Sequence, residues 1–154
     1  MSYQEVILED RSQLADYSDA FNKVGNSKDV ENLEWLHFKN PLGCTYTLIL
    51  KDIDAIAAIY ASVPVKFNVL EKTLTACQSL DTLTAESHRG KGLFVSGAKS
   101  VYNRCSENDI SFVYGFPNSS SVHGFKKHLD WEFLGPVPFI FKAFRINYFL
   151  RKLF

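Results

Sequence analysis

The sequence predicts a mixed α/β fold, a mostly antiparallel sheet with helices on both faces. Three observations predict it. Two segments of helical period follow the first strand-like stretch. Three strand-like segments then come in succession with only short turns between them, which makes them antiparallel neighbours. The last third alternates strand and helix, and a helical crossover permits parallel pairing. The order β-α-α-β-β-β-α-β-α-β-β therefore fits neither an all-parallel wound sheet nor an antiparallel sandwich.

Residues 3–8 read as the first strand, with Val6 and Leu8 alternating against polar neighbours. Leu14, Tyr17, Phe21 and Val24 recur at helical spacing, with Asp10 placed to cap the start and Gly25-Asn26 to stop the helix. Residues 29–38 predict a second helix, with Val30, Leu33 and Trp35 or Leu36 facing inward. Asn40-Pro41-Leu42-Gly43 is a turn. Residues 45–50 are rich in β-branched and aromatic side chains, residues 51–54 suit a hairpin turn, and residues 55–65 are mostly apolar. Asn68 is expected in the next turn, and the Thr-rich residues 73–84 alternate as a long strand. Then come a helix over 93–105, a short buried strand over 110–116, and a helix over 119–129 capped by one of its serines. Strands at 132–134 and 138–146, joined at Gly135-Pro136, would finish the chain.

The 154 residues suit a single domain spanning 1–154. At 46% hydrophobic and 22% charged residues, the composition is that of a globular protein with a sizeable core. Lys+Arg and Asp+Glu both number 17, which argues against nucleic acid as a partner. Cys44, Cys77 and Cys105 form no CxxC pair, so neither a metal site nor a disulfide framework is expected. The most apolar run, residues 54–66, is too short for a transmembrane segment and contains Pro64; the N-terminus carries Glu5, Glu9, Asp10 and Arg11. The expected localisation is cytoplasmic.

The informative stretch is Leu80-Asp81-Thr82-Leu83-Thr84-Ala85-Glu86-Ser87-His88-Arg89-Gly90-Lys91-Gly92-Leu93-Phe94. A strand ends, a helix begins, and two glycines lie between them. Glycines let successive N–H groups turn toward one point. The helix start adds unpaired N–H groups and partial positive charge. Arg89 and Lys91 add full charges, so the turn suits a pyrophosphate. It is not a P-loop: Gly92 and Gly97 lead into Ala98-Lys99-Ser100, one residue out of register. It also lacks the third glycine and the later acidic residue of a dinucleotide fingerprint.

The segment resembles the acyl-CoA motif of the GNAT acyltransferase family, which reads Arg or Gln, two residues, Gly, one residue, Gly or Ala. Arg89 to Gly92 match, and Phe94 stands at the last small position. The chain is closer still to a subgroup found with bacterial surface-polysaccharide genes, through Asp81-Thr82, Arg89-Gly90-Lys91-Gly92-Leu93-Phe94 and the Asn40-Pro41-Leu42-Gly43 turn. Downstream, Tyr114-Gly115-Phe116-Pro117-Asn118 is similar to the family's strand ending near an Asn, although Asp130 replaces a helix-terminal Gly.

The resemblance implies a parallel strand pair, 75–84 and 110–116, splayed apart around acetyl-CoA or another acyl-CoA. Pantetheine would pair with the backbone of Leu83, Thr84 and Ala85. The pyrophosphate would sit on Arg89, Gly90, Lys91, Gly92, Leu93 and Phe94, with Asn118 nearby. A small-molecule amine would attack the thioester directly, so no Cys or Ser nucleophile is needed. The base candidates are Asp81, equally readable as a structural or solvent-facing residue, and His123, otherwise an exposed helix histidine. His88 and Glu86 read as solvated loop residues. The family's helix tyrosine is missing, leaving Tyr114 as the candidate acid or as a core residue; the thiolate could also leave unaided.

Two functions follow as expectations. The first is an N-acetyltransferase acting on a small-molecule amine such as an amino sugar. The second is a non-catalytic GNAT-like module that binds CoA or a partner. The tail, residues 137–154, holds four basic residues, six aromatics and no acidic residue, which suggests a homodimer contact or a continuing chain more than a membrane surface.

Overall fold

The computed structural model describes residues 2–43 and 45–137. Five strands form one sheet in chain order: β1 (Gln4–Ile7), β2 (Tyr46–Asp52), β3 (Ala55–Val69), β4 (Lys72–Thr84) and β5 (Val113–Gly115). The first four pair antiparallel, and only β4 and β5 run parallel. The expected mixed sheet is therefore present, with a crossover helix where the parallel pair requires one.

Both faces are covered. The alternation in β2 sends Ile49 to one face and Leu48 and Leu50 to the other. On the first face α1 (Leu14–Lys23) and α2 (Val30–Phe38) bring Leu14, Tyr17, Phe21 and Leu33 against Ile49, Ile59 and Leu83. On the second, α3 (Leu93–Glu107) and α4 (Val122–His128) bring Leu93, Ala98, Val101 and Phe125 against Leu48, Leu50, Tyr60 and Cys77. Cys77 and Cys105 are buried and unbridged.

The early boundaries follow the sequence. Asp10 accepts from Ser12 N–H, and Gln13 reaches back to Asp10 N–H, forming a capping box before α1. Gly25, at φ 76°, ends the helix by donating to the Asn22 carbonyl.

Four expectations are corrected. In α2 the inward residues are Leu33 and His37, while Trp35 is 58% exposed and Val30 is also exposed. A polar partner explains the inward histidine: His37 Nδ1 lies 2.6 Å from Thr45 Oγ1, which is 2.9 Å from Thr47 Oγ1. Asn68 is in β3, paired with Thr73; the hairpin turns at Leu70 and Glu71, both with positive φ, so the turn is two residues long. The N-cap position of α4 is Ser121, but no serine side chain makes the capping bond; Asn118 Oδ1 instead accepts the N–H groups of Ser120 and Ser121, each at 3.0 Å. Residues 132–134 form no strand. The expected strand over 138–146, and the contact proposed for the tail beyond Val137, lie outside the described residues.

His37 is 1% exposed, and burial pushes its pKa down to about 4. The unfolded chain therefore binds more protons than the folded one between the unfolded value near ~6.5 and the folded value. The contribution is complete above ~6.5 and declines as pH falls toward 4, by roughly 3 kcal/mol in all. Urea unfolding from pH 7.5 to 4 should show this decline. His37→Asn, which cannot titrate, should flatten it; an unchanged slope would contradict the assignment.

Candidate active site

The site begins where two strands part. β4 and β5 are paired at Cys77↔Val113, Gln78↔Tyr114 and Ser79↔Gly115, and no further. β5 stops because Phe116 leads into Pro117, which has no N–H to donate, and Asn118 turns the chain into α4. β4 continues to Thr84 with no strand on that side among the described residues. Against β3 its register shifts from Ala61↔Leu80 to Ile59↔Leu83, so Asp81 and Thr82 form a bulge opposite Tyr60. Asp81 has φ 47°, the strained position of that bulge.

A groove opens along this edge as two adjoining chambers that share lining residues. The inner one, about 300 Å³, is lined by Gln78, Ser79, Asp81, Gly115 and Phe116 among others. The outer one, about 760 Å³, is lined by Leu83, Thr84, Arg89, Gly90, Gly92, Leu93 and Phe94. Phe21, Asn26, Thr82, Asn118 and Ser121 border both.

The two chambers differ in charge. Among the described residues the outer lining includes Arg89, His88 and His128 and no carboxylate. The inner lining includes Asp81. The outer chamber also holds the start of α3. Gly92 is its N-cap, with no side-chain hydrogen bond at the cap, and Ser96 N–H is the residue that returns to the Gly92 carbonyl. The N–H groups of Leu93, Phe94 and Val95 precede that bond and have no helical acceptor. Gly90 and Gly92 sit at φ 75° and 76°, and a Cβ at either would meet nothing within 4 Å. Their glycines are thus needed for the left-handed backbone, not for packing. A row of N–H groups, a guanidinium and open space fit a diphosphate.

The exposed edge of β4 narrows the pantetheine expectation. Ala85 N–H donates to the Ala57 carbonyl at 2.9 Å, so it faces β3. Alternation then turns the N–H and C=O of Thr84 toward the groove. Ala85 itself lines a different, acidic cavity with Asp16, Asp19 and Glu86. Lys91 is exposed and lines neither chamber. Asn118 borders both chambers while its side chain accepts the N–H groups of Ser120 and Ser121 ahead of α4.

The other candidates separate. Asp81 is in the inner chamber, but its carboxylate is already engaged: Lys28 Nζ lies 2.5 Å from Oδ1, and Tyr17 Oη donates to Oδ2 at 3.4 Å. Its side chain is 9% exposed. Burial, then the Asp81 charge, holds the Tyr17 phenol well above its ordinary range. His123 is exposed on α4 and lines neither chamber; His128, also exposed, is the histidine of this helix that borders the outer one. Tyr114 points away too: its hydroxyl donates to Gln78 Oε1 at 3.2 Å, and its ring packs edge-on against Phe67. Burial raises its pKa. His88 is not a solvated loop residue; its Nε2 lies 3.0 Å from Asp52 Oδ2.

The structure adds groups that sequence reasoning missed. Lys28 and Tyr17 reach Asp81 from 53 and 64 residues away. Ser79, Tyr60, Tyr102 and Trp131 form a hydrogen-bonded chain, buried at Ser79 and Tyr60 and partly buried at Tyr102 and Trp131: Tyr60 Oη is 2.7 Å from both Ser79 Oγ and Tyr102 Oη, and Trp131 Nε1 donates to Tyr102 Oη at 3.0 Å. The only sequence signal for this chain was the abundance of tyrosine.

A family model described as an acetyltransferase (GNAT) domain matches residues 8–134. No curated protein sequence matches the chain. Among solved structures, an acetyltransferase from Trypanosoma brucei superposes with a TM-score of 0.73 at 11% identity, covering 92% of this chain and 100% of the other. Glucosamine-6-phosphate N-acetyltransferase from Arabidopsis thaliana gives 0.66 at 14% identity, covering 94% and 100%. An aminoglycoside acetyltransferase from an uncultured soil metagenomic sample gives 0.67 at 14% identity, covering 93% and 99%. At these identities the likeness is one of fold. The fold, the glycine turn at the start of α3 and the matched stretch agree, and the chain belongs to the GNAT acetyltransferase family.

Proposed function

We propose that this chain is an acetyl-CoA-dependent N-acetyltransferase acting on a primary amine of a small molecule, with residues 1–154 acting as one domain. The observation that carries the reading is the division of charge along one groove: a carboxylate-free outer chamber at a helix start, and an inner chamber with Asp81. A polyanionic diphosphate suits the first, and an amine, cationic at neutral pH, suits the second. Leu93 and Phe94, with Gly90 and Gly92, would hold the diphosphate by backbone N–H groups, and Arg89 by charge. Thr84 would pair with the pantetheine arm as an added strand does.

Acetyl-CoA supplies an activated acyl group. The amine lone pair forms the new C–N bond, the C–S pair leaves with sulfur, and the amine gives up a proton. Holding both reactants in adjoining chambers contributes as much as ~7–11 kcal/mol through proximity. Asp81, directly or through a water, takes or orients the amine proton, and Lys28 and Tyr17 fix its carboxylate. An amino sugar is the acceptor favoured by the resemblance to polysaccharide-associated members. Neighbours of the same fold act on aminoglycosides and glucosamine-6-phosphate by their names, which fits that class.

One observation favours a second reading, a CoA-binding module without catalysis. The Asp81 carboxylate is occupied by Lys28, and neither His123 nor Tyr114 lines the groove.

Two variants test these readings. Gly92→Asp puts a carboxylate where the diphosphate would approach. Calorimetry on the folded variant should show CoA affinity falling by ~100-fold or more, with a modest drop in thermal midpoint because a side chain at φ 76° costs ~1–2 kcal/mol even in open space. Unchanged affinity would overturn the assignment of the turn. Asp81→Asn should lower turnover by ~100-fold or more with CoA affinity within a few-fold. It should also reduce stability, because Lys28 loses its partner. Turnover close to that of the unmodified protein would make Asp81 structural. A panel of amino sugars, polyamines and peptides in which nothing is acetylated would favour the binding module.

A further inference from the structure

We infer that the Ser79 hydroxyl is the hydrogen-bond donor for the sulfur of the acyl thioester as the C–S bond breaks. The inference rests on the acetyltransferase reading above and assigns a residue to the leaving-group side of that reaction.

Position is the first argument. Ser79 and Gly115 are the last paired residues before β4 and β5 part, so Ser79 stands at the apex of the opening. It lines the inner chamber although it is only 8% exposed. Gly115 keeps the apex narrow. A Cβ there would lie 3.1 Å from the Ser79 carbonyl oxygen and 3.2 Å from the Trp131 ring, tighter than ordinary contact.

Donor counting is the second argument. The Trp131 indole N–H can only donate, and it donates to Tyr102 Oη. Tyr102 and Tyr60 lie 2.7 Å apart, as do Tyr60 and Ser79, so each gap holds one proton. Four protons serve three links, so one O–H is left over; if Tyr102 donates to Tyr60, and Tyr60 to Ser79, it is the Ser79 O–H, which can then point into the chamber. In the reverse order the proton left over is that of Tyr102, which lines neither chamber; a sulfur acceptor bound beside Ser79 selects the first order. Burial drives the Tyr60 phenol far above its ordinary range and raises that of Tyr102, so both remain neutral donors. The chain therefore acts as a fixed, polarised row of dipoles aimed at the apex.

Opposed faces are the third argument. Asp81 reaches Tyr17 and Lys28 on the α1 side of the sheet, whereas Ser79 reaches Tyr60 on the α3 side. Asp81 lies in the bulge, and Ser79 lies two residues before it. An amine attacking from the Asp81 side forms C–N there, and the C–S pair departs toward Ser79. Ser79 keeps its proton; its hydrogen bond stabilises the negative charge on sulfur, and the proton lost by the amine leaves on the Asp81 side. Tyr60, Tyr102 and Trp131 are positioning residues.

The test is calorimetry with the full chain over pH 6–10, using CoA with its free thiol and desulfo-CoA as probes. The ratio of the two affinities isolates the sulfur from every other titrating group. In the unmodified protein the ratio should rise as the thiol ionises, with its midpoint ~1–2 units below the ordinary thiol value near ~8.5. Ser79→Ala should return the midpoint toward that value with desulfo-CoA affinity unchanged. Tyr60→Phe should shift it part of the way, by freeing the serine rotor. A ratio with the same pH dependence in Ser79→Ala and in the unmodified protein would overturn the inference alone. Failure of both probes to bind would overturn the cofactor reading and the inference with it.

Discussion

The parting of β4 from β5 at Ser79 and Gly115 is the constraint on which the rest depends. A strand inside a sheet must satisfy its N–H and C=O groups on both sides. From residue 80 onward β4 has β3 on one side and, among the described residues, no strand on the other. Two local features enforce this. Pro117 and the Asn118 cap end β5, and the two-residue bulge at Asp81 and Thr82 bends β4. The edge left open borders a groove that the start of α3 closes at one end. An edge of this kind is a template for an extended, amide-bearing ligand.

That geometry also sorts charge. α3 begins beside the outer part of the edge and brings uncapped N–H groups and Arg89 there. α1 and the segment leading to α2 bring Tyr17 and Lys28 to the bulge, where they hold Asp81. A single groove thus offers an electropositive region and a carboxylate a short distance apart. In the proposed function, an anionic donor and an amine acceptor meet at the bulge between them.

Much of this was legible in the sequence, for identifiable reasons. The helices α1 and α3 and the strands β2 to β4 carry strong periodicity, and their ends carry capping residues such as Asp10 and Gly25. The glycine turn could be read because its chemistry is local: Gly90 and Gly92 need no distant partner to adopt positive φ. The inward side of α2 could not be read. A histidine is buried there beside Thr45, which lies just before β2 and shares a hydrogen bond with it. The bulge could not be read either, since Asp81 looks like any other polar residue of an alternating strand. The environment of Asp81 and the Ser79–Tyr60–Tyr102–Trp131 chain depend on residues far apart in sequence, and periodicity carries no record of such pairs. His123 and Tyr114 were reasonable by chemistry and were moved off the groove by helix phase and strand alternation.

The central claim is that this groove, and not the acidic cavity beside Ala85, receives acetyl-CoA. Amide hydrogen exchange of the full chain, read residue by residue with and without acetyl-CoA, tests it most directly. The account predicts slowed exchange at Thr84 and at Leu93, Phe94 and Val95, with the N–H groups on the β3 side of β4 unchanged. Protection confined to residues around Asp16, Asp19 and Glu86, or none at all at saturating acetyl-CoA, would contradict it.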